Sequence, residues 1–418
     1  MKPNPTVLSH RLHSFLSAED IAGIAREVGF GSRVRKCPPV LFFWTLVLGL
    51  NAEAKRTLSG LRRFFVSTTG RSISSAAFQK RFTSEAAAMF QRIFECLLEK
   101  GLAAARAPLP RRLRRFRDII AVDSTAFPLH EKLAKHFRGY KTRGTKAMAR
   151  VSVTMGLADH RLRTADVSSG RRSETRFFRV TKKLAGYLVV MDLGYYSIQR
   201  FRDLARVGAH FISRLKKDAN PEILAVHQGS SRPKRIVGKR LKEVRFRDRF
   251  VDFDARLGQG RNSIVVRIVG VWNDGESRYH FYLSQLDRKS FGPTDISEAY
   301  RLRWQIELLF RELKQIARLS HIPTSKKETA LCLIYASLIV HLITRHLAWL
   351  LMNKRPWEFS PVTWTSFVLT YAWGIARALF AADEETISSL LKEVQEMAPK
   401  ECMRSSRGRA EVYGACFA

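Results

Sequence analysis

The stretch from Tyr300 to Lys314, Y-R-L-R-W-Q-I-E-L-L-F-R-E-L-K, constrains this chain more than any other. Leu302, Ile306, Leu309, Leu313 and Ile316 step by four and three, the period of a helix anchored on one side by a core. At roughly 100° per residue, Tyr300, Arg303, Glu307 and Lys314 then share an arc of about 60° on the other side. A carboxylate flanked by two cations and a phenol is costly in a core and natural in a cleft that grips phosphates. A solvated face with an i,i+4 charge pair would show the same period.

The partner is narrowed by charge. A chain of 418 residues with 45% hydrophobic content is long enough for two or three domains with proper cores. Its formal net charge of +36 and pI near 10.7 imply a polyanionic partner, nucleic acid before any other. A membrane surface would attract the same charge. However, the run Pro38 to Leu50 is too short to span, and Leu331 to Met352 is interrupted by His341, Arg345 and His346. The N-terminus lacks the apolar run of a signal peptide, and five scattered cysteines show no disulfide or zinc spacing. A reduced, cytoplasmic protein without a membrane partner is expected.

Two short apolar segments each deliver an aspartate. Residues 117 to 122 read as a strand ending in Asp123, followed by Ser124. Tyr187 to Met191 read as another, ending in Asp192, with Gly194 opening a turn into a helix near Ser197. Buried strands of this kind place their terminal residues at a sheet edge, where sites form, although an Asp after a strand is more commonly a turn or cap residue. Strands over Ala147 to Leu157 and Leu162 to Ser168, a helix from about Ser173 to Ala185, a helix to about Val207 and a strand at His210 to Leu215 complete an α/β unit.

The spacing Y-x2-R-x3-E-x6-K resembles the signature of the DDE transposases of bacterial insertion sequences, in the branch named after the fourth insertion sequence. Trp304, directly after Arg303, fits the same pattern, as does Asp-x-Gly-Tyr at Asp192; Leu193 stands where a basic residue is common. The resemblance implies a ribonuclease-H-like catalytic domain in which Asp123, Asp192 and Glu307 are the catalytic carboxylates. They would hold two Mg²⁺ ions, with Mn²⁺ able to substitute. Tyr300, Arg303 and Lys314 would hold phosphates of the element's ends. It further implies cleavage at the terminal inverted repeats, strand transfer into target DNA, a homodimer in the DNA complex and association with the nucleoid. Lys146, after Gly144-Thr145, resembles a family lysine near the first aspartate. A non-catalytic DNA-binding descendant of a transposase, and a nuclease of the same fold acting on branched nucleic acid, are the rival readings.

The remaining chain is organised around that unit. Residues 1–105 read as a helical DNA-binding domain, with helices near Ala18 to Val28, Pro39 to Leu50, Leu58 to Ser67, Ser74 to Phe82 and Ser84 to Lys100. Gln79, Lys80 and Arg81, on a short helix after a Gly turn, are candidates to enter a groove, against the commoner role of simple helix packing. Residues 101–110 read as a linker into a basic run at 111–117 and the catalytic domain at 116–325. Between the first two carboxylates Lys132, Lys135, Arg138, Lys141, Arg143, Arg171 and Arg172 are candidate phosphate contacts. Strand signals at Val244 to Phe253, Ser263 to Trp272 and Ser277 to Leu283, with a hairpin at Asn273-Asp274-Gly275, read as a β insertion over about 220–285. The resemblance implies stacking of an insertion Trp on a displaced base, for which Trp272 is the candidate at a different position; filling a core is the commoner role for such a residue. Helices over Lys326 to Asn353, Val362 to Phe380 and Glu384 to Glu396 form a C-terminal region at 326–398 before a basic tail at 399–418. Trp349, Trp357, Trp364 and Trp373 build either the domain core or a subunit contact.

Overall fold

The computed structural model describes residues 16–31, 36–52, 57–100, 109, 111–140, 144–172, 177–315, 319, 322–351 and 359–403. Five helices come first: α1 (Ala18–Glu27), α2 (Pro39–Ala52), α3 (Leu58–Thr69), α4 (Ser75–Gln79) and α5 (Ser84–Lys100). Ser17, Thr57 and Ser74 cap α1, α3 and α4 by accepting a backbone N–H of the first turn. In α2 every residue from Phe42 to Leu50 is buried, so this helix has no polar face at all.

The central element is one nine-stranded sheet. Its strands are β1 (Ile119–Pro128), β2 (Met148–Gly156), β3 (Leu162–Ser169), β4 (Leu188–Met191), β5 (His210–Arg214), β6 (Glu222–Gln228), β7 (Phe250–Leu257), β8 (Ile264–Asn273) and β9 (Arg278–Ser284). They run in the order β3-β2-β1-β4-β5-β9-β8-β7-β6. β1 lies antiparallel to β2 and parallel to β4, which is parallel to β5; from β5 outward each pairing is antiparallel. Helix α6 (Ile198–Arg206) joins β4 to β5.

Alternation along the strands splits the core in two. Ile119, Ala121, Leu188 and Val190 belong to the large core shared with the helices, whereas Ile120, Val122, Val189 and Met191 face Phe201 and Leu204 of α6. By the same period Asp123 and Asp192 fall on the helix-bearing face. After the sheet come α7 (Pro293–Arg301), α8 (Trp304–Gln315), α9 (Lys327–Leu351), α10 (Pro361–Thr370), α11 (Ala372–Ala381) and α12 (Glu384–Glu401). α9 and α11 both pack on α2, and α9 also packs on α5, so the two ends of the chain share one helical core. By length and composition α9 could span a membrane, but 89% of its apolar window is buried inside the protein.

The architecture is mixed α/β with a large central sheet between terminal helices. Several sequence expectations change in detail. The single helix over 300–314 is two, separated at Leu302 and Arg303, because α7 follows the sheet strands β5, β7, β8 and β9 while α8 turns onto β1, α9 and α10. Over 177–185 the chain forms only a 3₁₀ turn at Lys182–Leu184, with Phe177, Phe178 and Val180 packed on the second core in place of the expected helix face. The expected strand from Val244 begins at Phe250, since 244–249 is an irregular segment, and β6 was not anticipated. The β insertion therefore extends the main sheet. The helix over 362–380 breaks at Tyr371, and α12 runs on through Pro399. The linker at 101–108, Ile316, Lys141, Arg143, Trp357 and the tail from 404 lie outside the described residues. Trp364 is 1% exposed and its Nε1 donates to the Thr344 carbonyl, and Trp373 lies against Phe64 with ring centroids 4.6 Å apart, so both serve the core.

Candidate active site

Asp123 lies within β1, not at its end, because pairing with β2 continues to Pro128. Asp192 stands one residue beyond β4. In the parallel β1–β4 ladder Val122 is registered with Met191, so the next residue on each strand is an aspartate. Two carboxylates at neighbouring positions of adjacent parallel strands repel each other unless a cation intervenes. A cation, Arg303, lies beside the first of them.

Arg303 sits in the break between α7 and α8. Its Nη2 donates to Glu307 Oε1 at 2.5 Å, one turn along α8, and its Nη1 lies 3.9 Å from Asp123 Oδ2. Burial would lower the guanidinium's affinity for its proton, but Tyr300, Asp192 and Glu307 outweigh that and raise it. Asp123 and Glu307 thus share one cationic side chain, itself only 16% exposed, and Asp192 adds to the field around it. Among the described residues no three His, Cys, Asp or Glu side chains are gathered closely enough to hold a metal ion as they stand. The donor chemistry suits a hard divalent cation, since carboxylate oxygens are its preferred ligands.

Tyr300 ends α7 almost wholly buried. Its ring lies 5.2 Å from that of Tyr282 and 5.5 Å from the Arg303 guanidinium carbon. Desolvation first, then the charge of Asp192, pushes its phenol up to about 12, so it remains a donor at any working pH. Lys314 is half-buried on the same face of α8 as Glu307, roughly 10 Å further along the axis. Trp304 opens α8 with 42% of its surface exposed and the Arg311 guanidinium 5.9 Å from its ring.

The other sequence candidates lie apart from this cluster in different settings. Lys146 is exposed and its Nζ is 3.0 Å from Glu131. Arg171 and Arg172 are exposed just after β3, with Arg172 3.5 Å from Asp166. Lys80 is exposed at the end of α4, but Arg81 is not displayed for a groove. Its guanidinium lies 4.2 Å from the Phe30 ring and 5.7 Å from that of Phe42, and burial depresses its pKa. The apolar ring stack of the helical core captures it. Trp272 is half-buried against Tyr279.

Two supports for the site have no sequence signal. Arg150, 5% exposed, donates to Ser124 Oγ and the Tyr140 hydroxyl, each at 2.7 Å, and so fixes the residue after Asp123. Glu312, wholly buried on α8, accepts from Arg345 at 2.8 Å and Thr365 at 2.7 Å and lies 3.0 Å from His341 Nδ1. Only their burial distinguishes them from surface charges, and burial of one helix face against two later helices is not readable from α8 alone.

Comparison with known proteins agrees with this layout. The chain is 22% identical over 385 aligned positions to the transposase for insertion sequence element IS231B of Bacillus thuringiensis subsp. berliner, covering 80% of this chain and 78% of that protein. It is 21% identical over 439 positions to the IS231D transposase of Bacillus thuringiensis subsp. finitimus, covering 92% and 89%. It is 22% identical over 313 positions to the IS1151 transposase of Clostridium perfringens, covering 64% and 65%. Residues 114–343, more than half of the chain and spanning Asp123, Asp192 and Glu307, match the transposase DDE domain, and the chain belongs to that family.

Proposed function

We propose that this protein is a DNA transposase that cleaves at the ends of its element and joins the freed strands to target DNA by a DDE mechanism. The observation that carries this reading is Arg303 standing between Asp123 and Glu307, with Asp192 one residue past the Val122–Met191 register of the adjacent strand. The Y-x2-R-x3-E-x6-K spacing favours the branch named after the fourth insertion sequence. The order β3-β2-β1-β4-β5, antiparallel then parallel, supports a ribonuclease-H-like core extended by the β6–β9 strands.

In this reading the three acids would hold two Mg²⁺ ions. When bound, such a pair supplies an activated oxygen nucleophile and charge stabilisation at the leaving oxygen. Arg303 releases Glu307 and turns its guanidinium to the scissile phosphate, where two N–H groups match two phosphate oxygens. Tyr300, kept protonated, donates to the same phosphate. Water first attacks the phosphodiester at the element's end, giving a 3′-hydroxyl and a 5′-phosphate. That 3′-hydroxyl then attacks a target phosphodiester, forms the new bond and expels the target's 3′-oxygen. Two protomers would hold the two ends together on the nucleoid.

Incubation of labelled duplex carrying the cognate ends with Mg²⁺ tests the assignment. Asp123→Asn is expected to abolish cleavage while end binding in a mobility shift stays within about twofold, less than ~0.5 kcal/mol. Unimpaired cleavage by that variant would overturn the reading. Product analysis then separates transposition from simple nuclease action, since only a transposase covalently joins a 3′ end to a new site.

A further inference from the structure

Residues 229–249, which link β6 to β7, carry nine Lys and Arg against Glu243 and Asp248. Arg232, Lys234, Arg235, Lys239, Arg245 and Arg247 are all exposed, and among the described residues none of these six forms an ion pair. Runs of like charge are usually solvated and loose. This one is fastened down. Gly238 N–H donates to the Ile223 carbonyl at 2.8 Å, Ile223 N–H to Lys239 at 2.9 Å, and Leu241 N–H to Pro221 at 2.9 Å. Lys242 N–H donates to Asn220 Oδ1 at 2.9 Å, Leu241 is buried, and Phe246 stacks on Phe253 with centroids 5.7 Å apart. The backbone is held while the cations project from it. Mutual repulsion on a fixed strap is relieved only by an anionic partner, and pre-ordering removes part of the entropy cost of binding one.

The strap borders β6, the edge strand, five strand positions from β4 and so roughly 24 Å from Asp192 at the usual strand spacing. That corresponds to about seven base-pair steps along a duplex, so the strap and the acid site do not share a phosphate.

We propose that this strap is a second, sequence-independent clamp for the phosphate backbone of duplex DNA, separate from the surface that feeds Asp123, Asp192 and Glu307. It reads no base, because it offers a groove only two three-residue 3₁₀ turns, Pro233–Arg235 and Leu241–Glu243, and no α-helix or paired ribbon. The bound backbone belongs either to the duplex already in the active site, gripped about seven base pairs from the cut, or to a second duplex. This inference rests on DNA being the partner.

The test uses the full-length protein in an Asp123→Asn background, in EDTA, with a fluorescein-labelled duplex of arbitrary sequence. Without metal or turnover, a protein that proves inactive at the acid site still gives a clear answer here. Replacing Arg232, Lys234, Arg235, Arg245 and Arg247 by Gln removes charge while keeping length. The plot of log affinity against log salt should become shallower by about 0.9 for each phosphate no longer neutralised, three units or more in all. Affinity at moderate salt should fall at least about a hundredfold, with the melting temperature not lowered. The same substitutions to Ala guard against residual hydrogen bonding by Gln. If the loss appears only when a second labelled duplex is added to a preformed complex, the strap holds a separate duplex; if it appears with a single long duplex, it grips the flank. Unchanged affinity and slope in a folded variant would overturn the proposal.

Discussion

Arg303 Nη2 and Glu307 Oε1 are 2.5 Å apart across the first turn of α8, while the same guanidinium reaches Asp123 at 3.9 Å. One side chain thus answers two of the acids at once. Replacing it by Ala should cost roughly 1–3 kcal/mol of stability in EDTA, the usual range for removing a charged hydrogen bond and leaving its partner unanswered. Mg²⁺ should then raise the melting temperature more in Arg303→Ala than in the parent, since the freed carboxylates gain most from a bound cation. Thermal melts with and without Mg²⁺ check both outcomes; an equal Mg²⁺ effect in the two proteins would contradict them. End cleavage should fall about a hundredfold or more.

Tyr300→Phe removes a phenolic donor and almost nothing else. A hydrogen bond to a charged oxygen is worth ~1.5–3 kcal/mol, so cleavage should slow by roughly tenfold to a hundredfold. Because burial and Asp192 push the phenol up to about 12, Tyr300 stays protonated through the accessible range. The alkaline limb of the pH–rate profile should therefore be superimposable for the variant and the parent.

Glu312 joins α8 to α9 and α10 from a wholly buried position. Burial alone would raise its pKa, but Arg345 and His341 outweigh that and hold it down to about 2, against 4.5 when free. Its stabilising charge is then fully present above about pH 4.5 and is lost as the pH falls toward 2. Glu312→Ala leaves Arg345 and His341 facing an uncompensated cavity and should cost about 3–5 kcal/mol. Acid denaturation followed by circular dichroism should show a transition in that window that is displaced in Glu312→Gln.

Gly49 supports the contact between α2 and α3. A Cβ there would come within 2.6 Å of the Phe64 ring, which is fully buried and has no room to retreat. Gly49→Ala should destabilise by about 1–3 kcal/mol despite its better helix propensity, as overpacked cores do. Chemical denaturation gives the sign directly.

The sequence carries the strand–aspartate units at 117–123 and 187–192 because fully buried strands are short apolar runs that any reading of hydropathy finds. It carries the relation of Arg303 to Glu307 because four residues make one helical turn. It does not carry the break at Leu302 and Arg303, which arises from where α7 and α8 find their separate supports and leaves the apolar period intact. For the same reason Arg81 reads as a surface cation: its capture by Phe30 and Phe42 depends on a residue about fifty positions upstream. The 244–249 segment alternates like a strand, yet ladder pairing stops at Phe250, and alternation alone does not reveal a missing neighbour.

The burial of α2 against α9 has a consequence for biosynthesis. From Phe42 to Leu50 the helix is buried throughout: Phe42 and Phe43 meet Phe30, Phe78, Phe82 and Phe90 of the N-terminal helical region, whereas Trp44, Val47 and Leu48 line a cavity closed by Val340, Ile343 and Leu347 of α9. On the ribosome the intervening residues take on the order of tens of seconds to emerge at ~5–20 per second. Throughout that interval the N-terminal helices cover one side of α2 while the side carrying Trp44, Val47 and Leu48 waits for α9, so the N-terminal core is completed only when α9, in the last third of the chain, has been made.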